Sequence, residues 1–301
     1  MEAAKLVEAA ALAAQGQQYP AGALYVVATP IGNLADVTLR AIHVLALVDA
    51  IACEDTRHSA ALLGRLAITK PLIAVHAHNE RSAAATVVER LARGERVAYV
   101  SDAGTPAVSD PGAGLVAATR AAGHRVVPIP GASSALAALS AAGDVAASGF
   151  NFVGFLPARG GERSRAVAKV AERPETQVVF EAPHRIESLA AALAAACPDR
   201  TATLCRELTK QFETIATMPA RELVGWLAAD AHRARGEFVL VLHASPAEAA
   251  KDECANDALL VPLLAALPLK HAVAVAAEIS GAPRNALYAR ALALRAGRDG
   301  D

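Results

Sequence analysis

The chain has 301 residues, which is enough for two ordinary domains and a small appendage. Hydrophobic residues make up 54% of it and charged residues 20%, so sizeable cores can be buried. A formal net charge of −1 excludes the overall basic field of a typical nucleic-acid binder, and any contact with RNA therefore requires a local basic patch.

Residues 1–22 form an alanine-rich N-terminal extension. Glu2 and Glu8 interrupt it, and no basic opening precedes a clean apolar stretch, so we expect a surface helix rather than a signal peptide. No run in the chain approaches about 18 uninterrupted apolar residues, and we therefore expect no membrane span.

Residues 23–148 are predicted to form a first α/β domain, in which apolar strands alternate with helical patterns. The predicted strands cover residues 23–29, 50–53, 72–77, 96–102 and 125–130. Helices of roughly ten to fifteen residues are predicted between them, which indicates a parallel or mixed sheet.

Residues 149–245 are predicted to form a second α/β domain. Its predicted strands cover residues 151–157, 176–183, 201–208 and 237–244, with helices over 161–172 and 185–196. Hairpin-like strand pairs fit this order better than they fit the first domain.

Residues 246–301 are predicted to be a linker followed by a small C-terminal helical segment. The polar stretch SPAEAAKDECAND indicates the linker, and two or three helices follow it. Within 268–294 the pattern is a helix, a turn at Gly281 and a second helix.

Cysteine occurs four times, at Cys53, Cys197, Cys205 and Cys254. The absence of any CxxC spacing predicts reduced thiols in a cytoplasmic protein rather than disulfides or a zinc site, and we expect no metal.

Three loops share one pattern, in which an apolar strand runs into glycine or proline and a helix follows. They are TPIGN (29–33), SDAGTPAVSDPG (101–112) and PGASSA (130–135). The crevice beyond the carboxyl ends of strands is the usual ligand site of open α/β sheets. None of the three loops matches the dinucleotide fingerprint GxGxxG or the phosphate loop GxxxxGK[ST].

The loop at 101–112 contains no lysine or arginine but carries Asp102 and Asp110. It is poorly suited to a polyphosphate and better suited to a ligand with hydroxyl groups and a positive centre. Alternatively, Gly104, Pro106 and Pro111 merely shape a turn. The presence of three such loops in one domain favours a shared ligand.

Long motifs in a fixed order connect this chain with a known family. They include TPIGNLAD, CEDTRHS, SDAGTPAVSDPG, VPIPGASSA, VVFEAPHRI, CRELTKQFE and GEFVLVL, spread over about residues 23–244. The chain resembles the bacterial 16S ribosomal RNA 2'-O-ribose cytidine methyltransferases of the tetrapyrrole-methylase superfamily. Small-molecule members of the superfamily often carry Gly-Asp-Pro where this chain has SDAGTP, and this departure favours the rRNA branch.

The resemblance implies two α/β domains with S-adenosylmethionine in the cleft between them, usually in a homodimer, acting on 16S rRNA of the small ribosomal subunit. It implies cofactor contacts at Pro30, Gly32, Asp102, Ala103, Gly104, Thr105, Ser133, Ser134, Leu156, Ala182, Pro183 and Gly236. The cofactor has a sulfonium cation and no phosphate, which matches an acidic loop without basic residues.

Methyl transfer to a ribose hydroxyl requires in-line alignment and the removal of a proton. The candidate bases are Glu54, Asp55, His78, Glu80 and Glu181. The residue pattern does not choose among them, because Asp55 also fits an N-cap and the segment around His78 and Glu80 also fits a turn with a cap.

Basic side chains around the cleft are the candidate RNA contacts. They are Arg57, Arg159, Arg163, Arg165, His184, Arg185, Arg206 and Lys210. A solvated helix face and a strand-edge ion-pair network are alternatives for several of them. Aromatic residues make up only 4% of the chain, so we expect no base-stacking platform and place Phe150, Phe152, Phe155 and Phe180 in the core.

The C-terminal helices fit either a small helix-turn-helix that helps to grip rRNA or a pair that packs a dimer. Two other functions stay open at this point. One is a small-molecule methylase of the tetrapyrrole type, and the other is a non-catalytic RNA-binding assembly factor that has lost its cofactor.

Overall fold

The computed structural model describes residues 2–76 and 79–298. Its first unit is a three-layer α/β arrangement built on a parallel sheet. The strands are β1 (Ala23–Val27), β2 (Ala50–Cys53), β3 (Leu72–Ala74), β4 (Val97–Val100) and β5 (Arg125–Ile129). The helices are α1 (Glu2–Ala14), α2 (Leu39–Leu47), α3 (Thr56–Arg65), α4 (Glu80–Ala92), α5 (Ala113–Ala121) and α6 (Ser134–Ala142). All five predicted strands are present.

The strand order of this sheet is β3-β2-β4-β1-β5, and every neighbouring pair is parallel. Four loops therefore leave adjacent strands at the carboxyl-end edge of this sheet, and they are the loops that follow β2, β4, β1 and β5. Crossover connections explain why loops far apart in sequence meet here. The N-terminal helix α1 packs against α2 and buries Ala10 in the core of this unit.

The second unit is a mixed sheet with helices packed against it. Its elements are β6 (Phe150–Phe155), α7 (Gly160–Glu172), β7 (Thr176–Glu181), α8 (Ile186–Ala196), β8 (Thr201–Arg206), β9 (Thr214–Pro219), α9 (Leu223–Ala228) and β10 (Phe238–Leu242). The strand order is β6-β7-β10-β8-β9, with β6 and β7 parallel and the other pairs antiparallel. The sequence pattern did not predict β9 and α9.

Helix α6 joins the two units. Its buried alanines pack with Val178, Cys205, Val239 and Val241 of the second sheet in one apolar cluster. Small side chains let a helix approach a sheet closely, so the two strand systems are held side by side rather than linked by a flexible tether.

Three helices follow the second sheet: α10 (Pro246–Ala266), α11 (Leu269–Ser280) and α12 (Arg284–Arg298). The predicted linker over 245–257 is wrong, because α10 begins at Pro246 and runs through it. Proline is well tolerated in the first turn of a helix, and the following alanines favour helix. Leu260, Val273 and Leu287 form a small core among the three helices. Among the described residues, no helix is both long and apolar enough to cross a bilayer.

Candidate active-site cleft

A cavity of about 470 Å³ lies between the two units, at the edge where the first sheet's strands end. The first unit lines it with Ile31, Glu54, residues 102–105, residues 108–110, Ser133 and Ser134. The second unit lines it with Phe155, residues 180–183, Leu208 and residues 237–239. Its volume lies within the usual range of small-molecule sites, about 300–1,000 Å³.

Two backbone hydrogen bonds and one side-chain hydrogen bond tie the three glycine-containing loops together. The Thr29 amide donates to the Gly104 carbonyl at 2.9 Å, and the Gly104 amide donates back to the Thr29 carbonyl at 3.1 Å. The Thr105 hydroxyl donates to the Ala132 carbonyl at 3.1 Å. Gly104 has φ +80°, a left-handed conformation that glycine adopts without strain.

Eight of the twelve expected cofactor contacts line this cavity: Asp102, Ala103, Gly104, Thr105, Ser133, Ser134, Ala182 and Pro183. The other four, Pro30, Gly32, Leu156 and Gly236, do not line it. Leu156 instead packs in the core of the second unit.

Gly32 and Gly236 make room for the loop after β8 rather than for a ligand. A Cβ at Gly32 would lie 2.5 Å from Cγ of Lys210, and one at Gly236 would lie 2.6 Å from Cγ of Glu207. Both glycines therefore allow residues 207–210 to close against the rim of the cavity.

The lining is acidic. It contains the carboxylates of Glu54, Asp102, Asp110, Glu181 and Glu237. None of the described lining residues is lysine, arginine or histidine. Such a surface favours a ligand with a positive centre and disfavours a polyphosphate.

Two of these carboxylic acids have shifted pKa values. Burial, followed by the charges of Asp102 and Asp110, raises the pKa of Glu54 above its ordinary value. Burial also raises the pKa of Asp110, and the charge of Asp102 adds to the shift against an opposing hydrogen bond with Ser101. Carboxyl groups with raised pKa values in a cleft are typical of groups that accept or donate protons.

Two of the candidate bases are held away from the cavity by other partners. Asp55 caps α3 by accepting the Arg57 amide at 2.8 Å, and its pKa is lowered to about 2 by hydrogen bonds from the Arg57 side chain and backbone. Glu80 accepts the amides of Gly112, Gly114 and Leu115 at 2.8–3.2 Å. Glu80 therefore anchors the end of the 101–112 loop at the start of α5 and does not line the cleft.

Glu181 lines the cleft but is already neutralised. Its buried carboxylate lies 2.7 Å from Arg163 Nη2 and 2.8 Å from Arg185 Nε, and it accepts the Ala182 amide at 2.9 Å. Such a carboxylate is poorly suited to removing a proton. His78 lies outside the described residues. Among the described candidate bases, Glu54 is the one that lines the cavity without such an ion pair.

Several of the expected RNA contacts instead bind other groups of the protein. Arg163 and Arg185 neutralise Glu181 and are mostly buried. Lys210 lies 2.9 Å from Glu207 and 3.1 Å from Glu237. Arg206 donates to the carbonyls of Arg235 and Phe212. Arg206 and Lys210 thus fit the strand-edge network that the sequence left open, whereas the contact of Arg163 with Glu181 joins separate elements and has no local signal.

The remaining expected RNA contacts are exposed. The Arg57 side chain is 90% exposed beside Asp55. Arg159, Arg165 and His184 are exposed on the second unit, near the helix start at Gly160 or after β7.

Some lining residues were not among the predicted contacts. Glu237 and Val239 lie in the GEFVLVL motif and Leu208 lies in CRELTKQFE, but neither motif indicated which of its residues line the cavity. Phe155, expected in the core, lines the cavity and is 56% exposed. Over the residues that the structure describes, no group of three or more potential ligands is placed to hold a metal ion.

Comparisons with known proteins confirm the resemblance that the motifs indicated. Residues 23–224 match the family described as tetrapyrrole (corrin/porphyrin) methylases, and residues 248–295 match the RsmI C-terminal HTH domain. A Pseudomonas aeruginosa protein named ribosomal RNA small subunit methyltransferase I is 48% identical over 275 residues. That alignment covers 90% of this chain and 97% of the relative.

Two solved structures share the fold. Cobalt precorrin-4 methyltransferase CbiF matches with a TM-score of 0.56 at 17% identity, covering 75% of this chain and 98% of that one. Uroporphyrin-III C-methyltransferase from Thermus thermophilus, solved with S-adenosylhomocysteine, matches with a TM-score of 0.52 at 20% identity, covering 73% and 96% of the two chains. Because the family model matches residues 23–224, two thirds of its length, the chain belongs to the tetrapyrrole methylase family.

Proposed function

We propose that this protein is an S-adenosylmethionine-dependent methyltransferase that methylates the ribose 2'-hydroxyl of a cytidine in 16S rRNA. The observation that carries the proposal is the acidic cavity at the joined strand ends, in a chain that aligns with nearly the whole length of an rRNA small-subunit methyltransferase. We also propose that the protein is a homodimer and lies in the cytoplasm.

The residues present fit this cofactor. S-adenosylmethionine carries a sulfonium cation and an adenosine but no phosphate, and the cavity offers carboxylates, hydroxyls and exposed backbone rather than basic groups. Asp102 and the backbone of residues 103–105 would hold it from the first unit, with Ser133 and Ser134. Ala182 and Pro183 would form the opposite wall. When bound, the cofactor supplies the methyl group.

The chain's own contribution is alignment and proton removal. Holding the acceptor hydroxyl in line can supply roughly 7–11 kcal/mol of the barrier, and a general base typically contributes about 10²–10⁴-fold. We assign the base to Glu54, because it lines the cavity and burial raises its pKa above the ordinary value. The rRNA would be held by the exposed side chains of Arg57, Arg159, Arg165 and His184.

The direct test is methylation of purified small ribosomal subunits with labelled S-adenosylmethionine, followed by mapping of the modified nucleotide. We expect label on one cytidine ribose. Label on a base, or only on a porphyrinoid offered in parallel, would overturn the assignment of the substrate. Cofactor binding without transfer to any acceptor would favour the non-catalytic RNA-binding factor.

A further inference from the structure

Phe155 is an aromatic side chain at the mouth of the cleft. It lines the cavity and is 56% exposed. A phenylalanine contributes most to stability when its ring is buried, so an exposed ring gives up part of that hydrophobic stabilisation. The local backbone explains how the ring comes to lie there.

A β-bulge in β6 turns Phe155 toward the cavity face. Phe152 pairs with Val178, but Gly154 pairs with Val179 and Phe155 with Phe180, so Val153 is an extra residue on this strand. In an unbroken strand, Phe152 and Phe155 would point to opposite faces. The bulge places both on the same face and leaves Val153 against the core of the second unit.

The bulge is fitted closely to the first unit. Gly154 has φ +70°, and a Cβ there would lie 2.7 Å from the Ser109 hydroxyl oxygen. Glycine therefore suits this backbone conformation and leaves room for the Ser109 side chain of the 101–112 loop. Bulges that re-aim a side chain are frequent beside active sites.

The ring of Phe180, which itself packs on Phe152, supports Phe155. The centroid of Phe155 lies 5.6 Å from that of Phe180 at an interplanar angle of 69°, and Phe180 lies 5.1 Å from Phe152 at 74°. These edge-to-face contacts fix the orientation of the Phe155 ring while more than half of its surface stays accessible. The expectation that these rings belong to the core is therefore wrong for Phe155 and also for Phe150, which is 49% exposed.

We propose that Phe155 stacks on the base of the acceptor nucleotide as its ribose enters the cleft. This inference rests on the proposed function and identifies the contact that holds the base. Sequence-tolerant stacking on aromatic side chains is the usual way in which proteins hold unstacked RNA bases. The cavity beneath the ring is acidic and disfavours phosphate, so a neutral base is the part of a nucleotide that suits this rim. A second copy of the chain seated on Phe155 would instead close the mouth of the cleft.

The test compares Phe155→Leu and Phe155→Trp with wild type in steady-state methylation of small subunits. Phe150→Leu is the matched control, since Phe150 is 49% exposed on the same strand but does not line the cavity. We expect Phe155→Leu to raise KM for the subunits by about 5- to 150-fold, the loss of one stacked base, with unchanged affinity for S-adenosylmethionine. Phe155→Trp should retain a KM near that of wild type, and Phe150→Leu should behave as wild type.

A wild-type KM in Phe155→Leu would overturn the inference, as would a change in its oligomeric state by light scattering, which would assign the ring to a partner copy. Equal loss in Phe155→Leu and Phe150→Leu would also overturn it, because the strand rather than the ring would then be responsible. If wild type binds the cofactor but methylates no subunit, the proposed function fails as well. If wild type is active and Phe155→Leu is unchanged, only the inference on stacking fails.

Discussion

The two α/β units contribute to the cleft in different ways. In the first, the central parallel strands β2 and β4 are buried on both faces, and the polar lining residues lie in the loops beyond the carboxyl ends of the strands. In the second, a mixed sheet presents strand ends as walls, and its most buried carboxylate, Glu181, is neutralised by arginines. The first unit thus supplies charge for the ligand, while the second supplies shape and uses its charges to hold itself together.

The largest effect should come from distorting a loop of the first unit. Gly104→Val forces a β-branched residue into φ +80° and breaks the bridge between Thr29 and Gly104. We expect no measurable binding of S-adenosylmethionine at concentrations that saturate wild type, by isothermal titration.

Gly94→Val is the control for backbone strain, because Gly94 has φ +82° and lies in the turn after α4. Each substitution should cost about 1–3 kcal/mol of stability, but only the first should abolish binding. If both variants bind the cofactor equally well, the loops do not form the site.

Glu54→Gln should separate chemistry from binding. We expect kcat to fall about 10²–10⁴-fold with little change in cofactor affinity. In wild type, activity should be lost as the pH falls through the raised pKa of Glu54. The acidic limb of the pH–activity profile should therefore lie above the ordinary pKa of a glutamate. This limb should be absent in the variant.

Thermal unfolding gives a second readout for Glu54. Because its pKa is raised in the folded protein, the charged form opposes folding above the unfolded pKa, and Glu54→Gln should not lower stability at neutral pH. Asp55→Asn, which preserves the N-cap outside the cavity, is the control and should retain nearly full activity. An unchanged pH profile in Glu54→Gln would assign proton removal to another group.

Glu181→Gln should, unlike Glu54→Gln, lower the stability of the protein. It leaves Arg163 and Arg185 beside a neutral side chain in a buried position. We expect a loss of about 3 kcal/mol in the free energy of unfolding, near the lower limit for breaking a buried pair, since both guanidinium groups keep some contact with water. Urea unfolding measures this loss. A stable variant with abolished turnover would show that Glu181 acts in catalysis.

The smallest effect should come from Arg57→Ala at the exposed rim. Its side chain is 90% exposed, so stability should change by less than about 0.5 kcal/mol. If Arg57 meets one RNA phosphate, the slope of log K against log salt should become shallower by about 0.7–0.9. Titration with a 16S rRNA fragment across a salt series checks this, and an unchanged slope would remove Arg57 from the RNA surface.

The difference between the two units also explains which elements and site residues could be predicted from the sequence. The central strands β1, β2 and β4 of the first sheet are almost wholly buried, and their sequences are therefore apolar runs bounded by polar or turn-forming residues. The half-exposed edge strand β9, with the sequence TIATMP, lacks such a pattern. The pairing of Glu80 with residues 112–115 and the bulge beside Gly154 depend on tertiary register, which no local pattern encodes. The cleft's charge was thus predictable, and its aromatic rim was not.

The central claim, that the acidic cavity binds the methyl donor through its carboxylates, is tested most directly by titrating S-adenosylmethionine into wild type and Asp102→Ala. We predict one binding site per chain in wild type and an affinity at least about thirtyfold weaker in the variant, as expected for removing a charged partner that the bound ligand would shield from water. Equal affinity in the two proteins, with both folded, would contradict it.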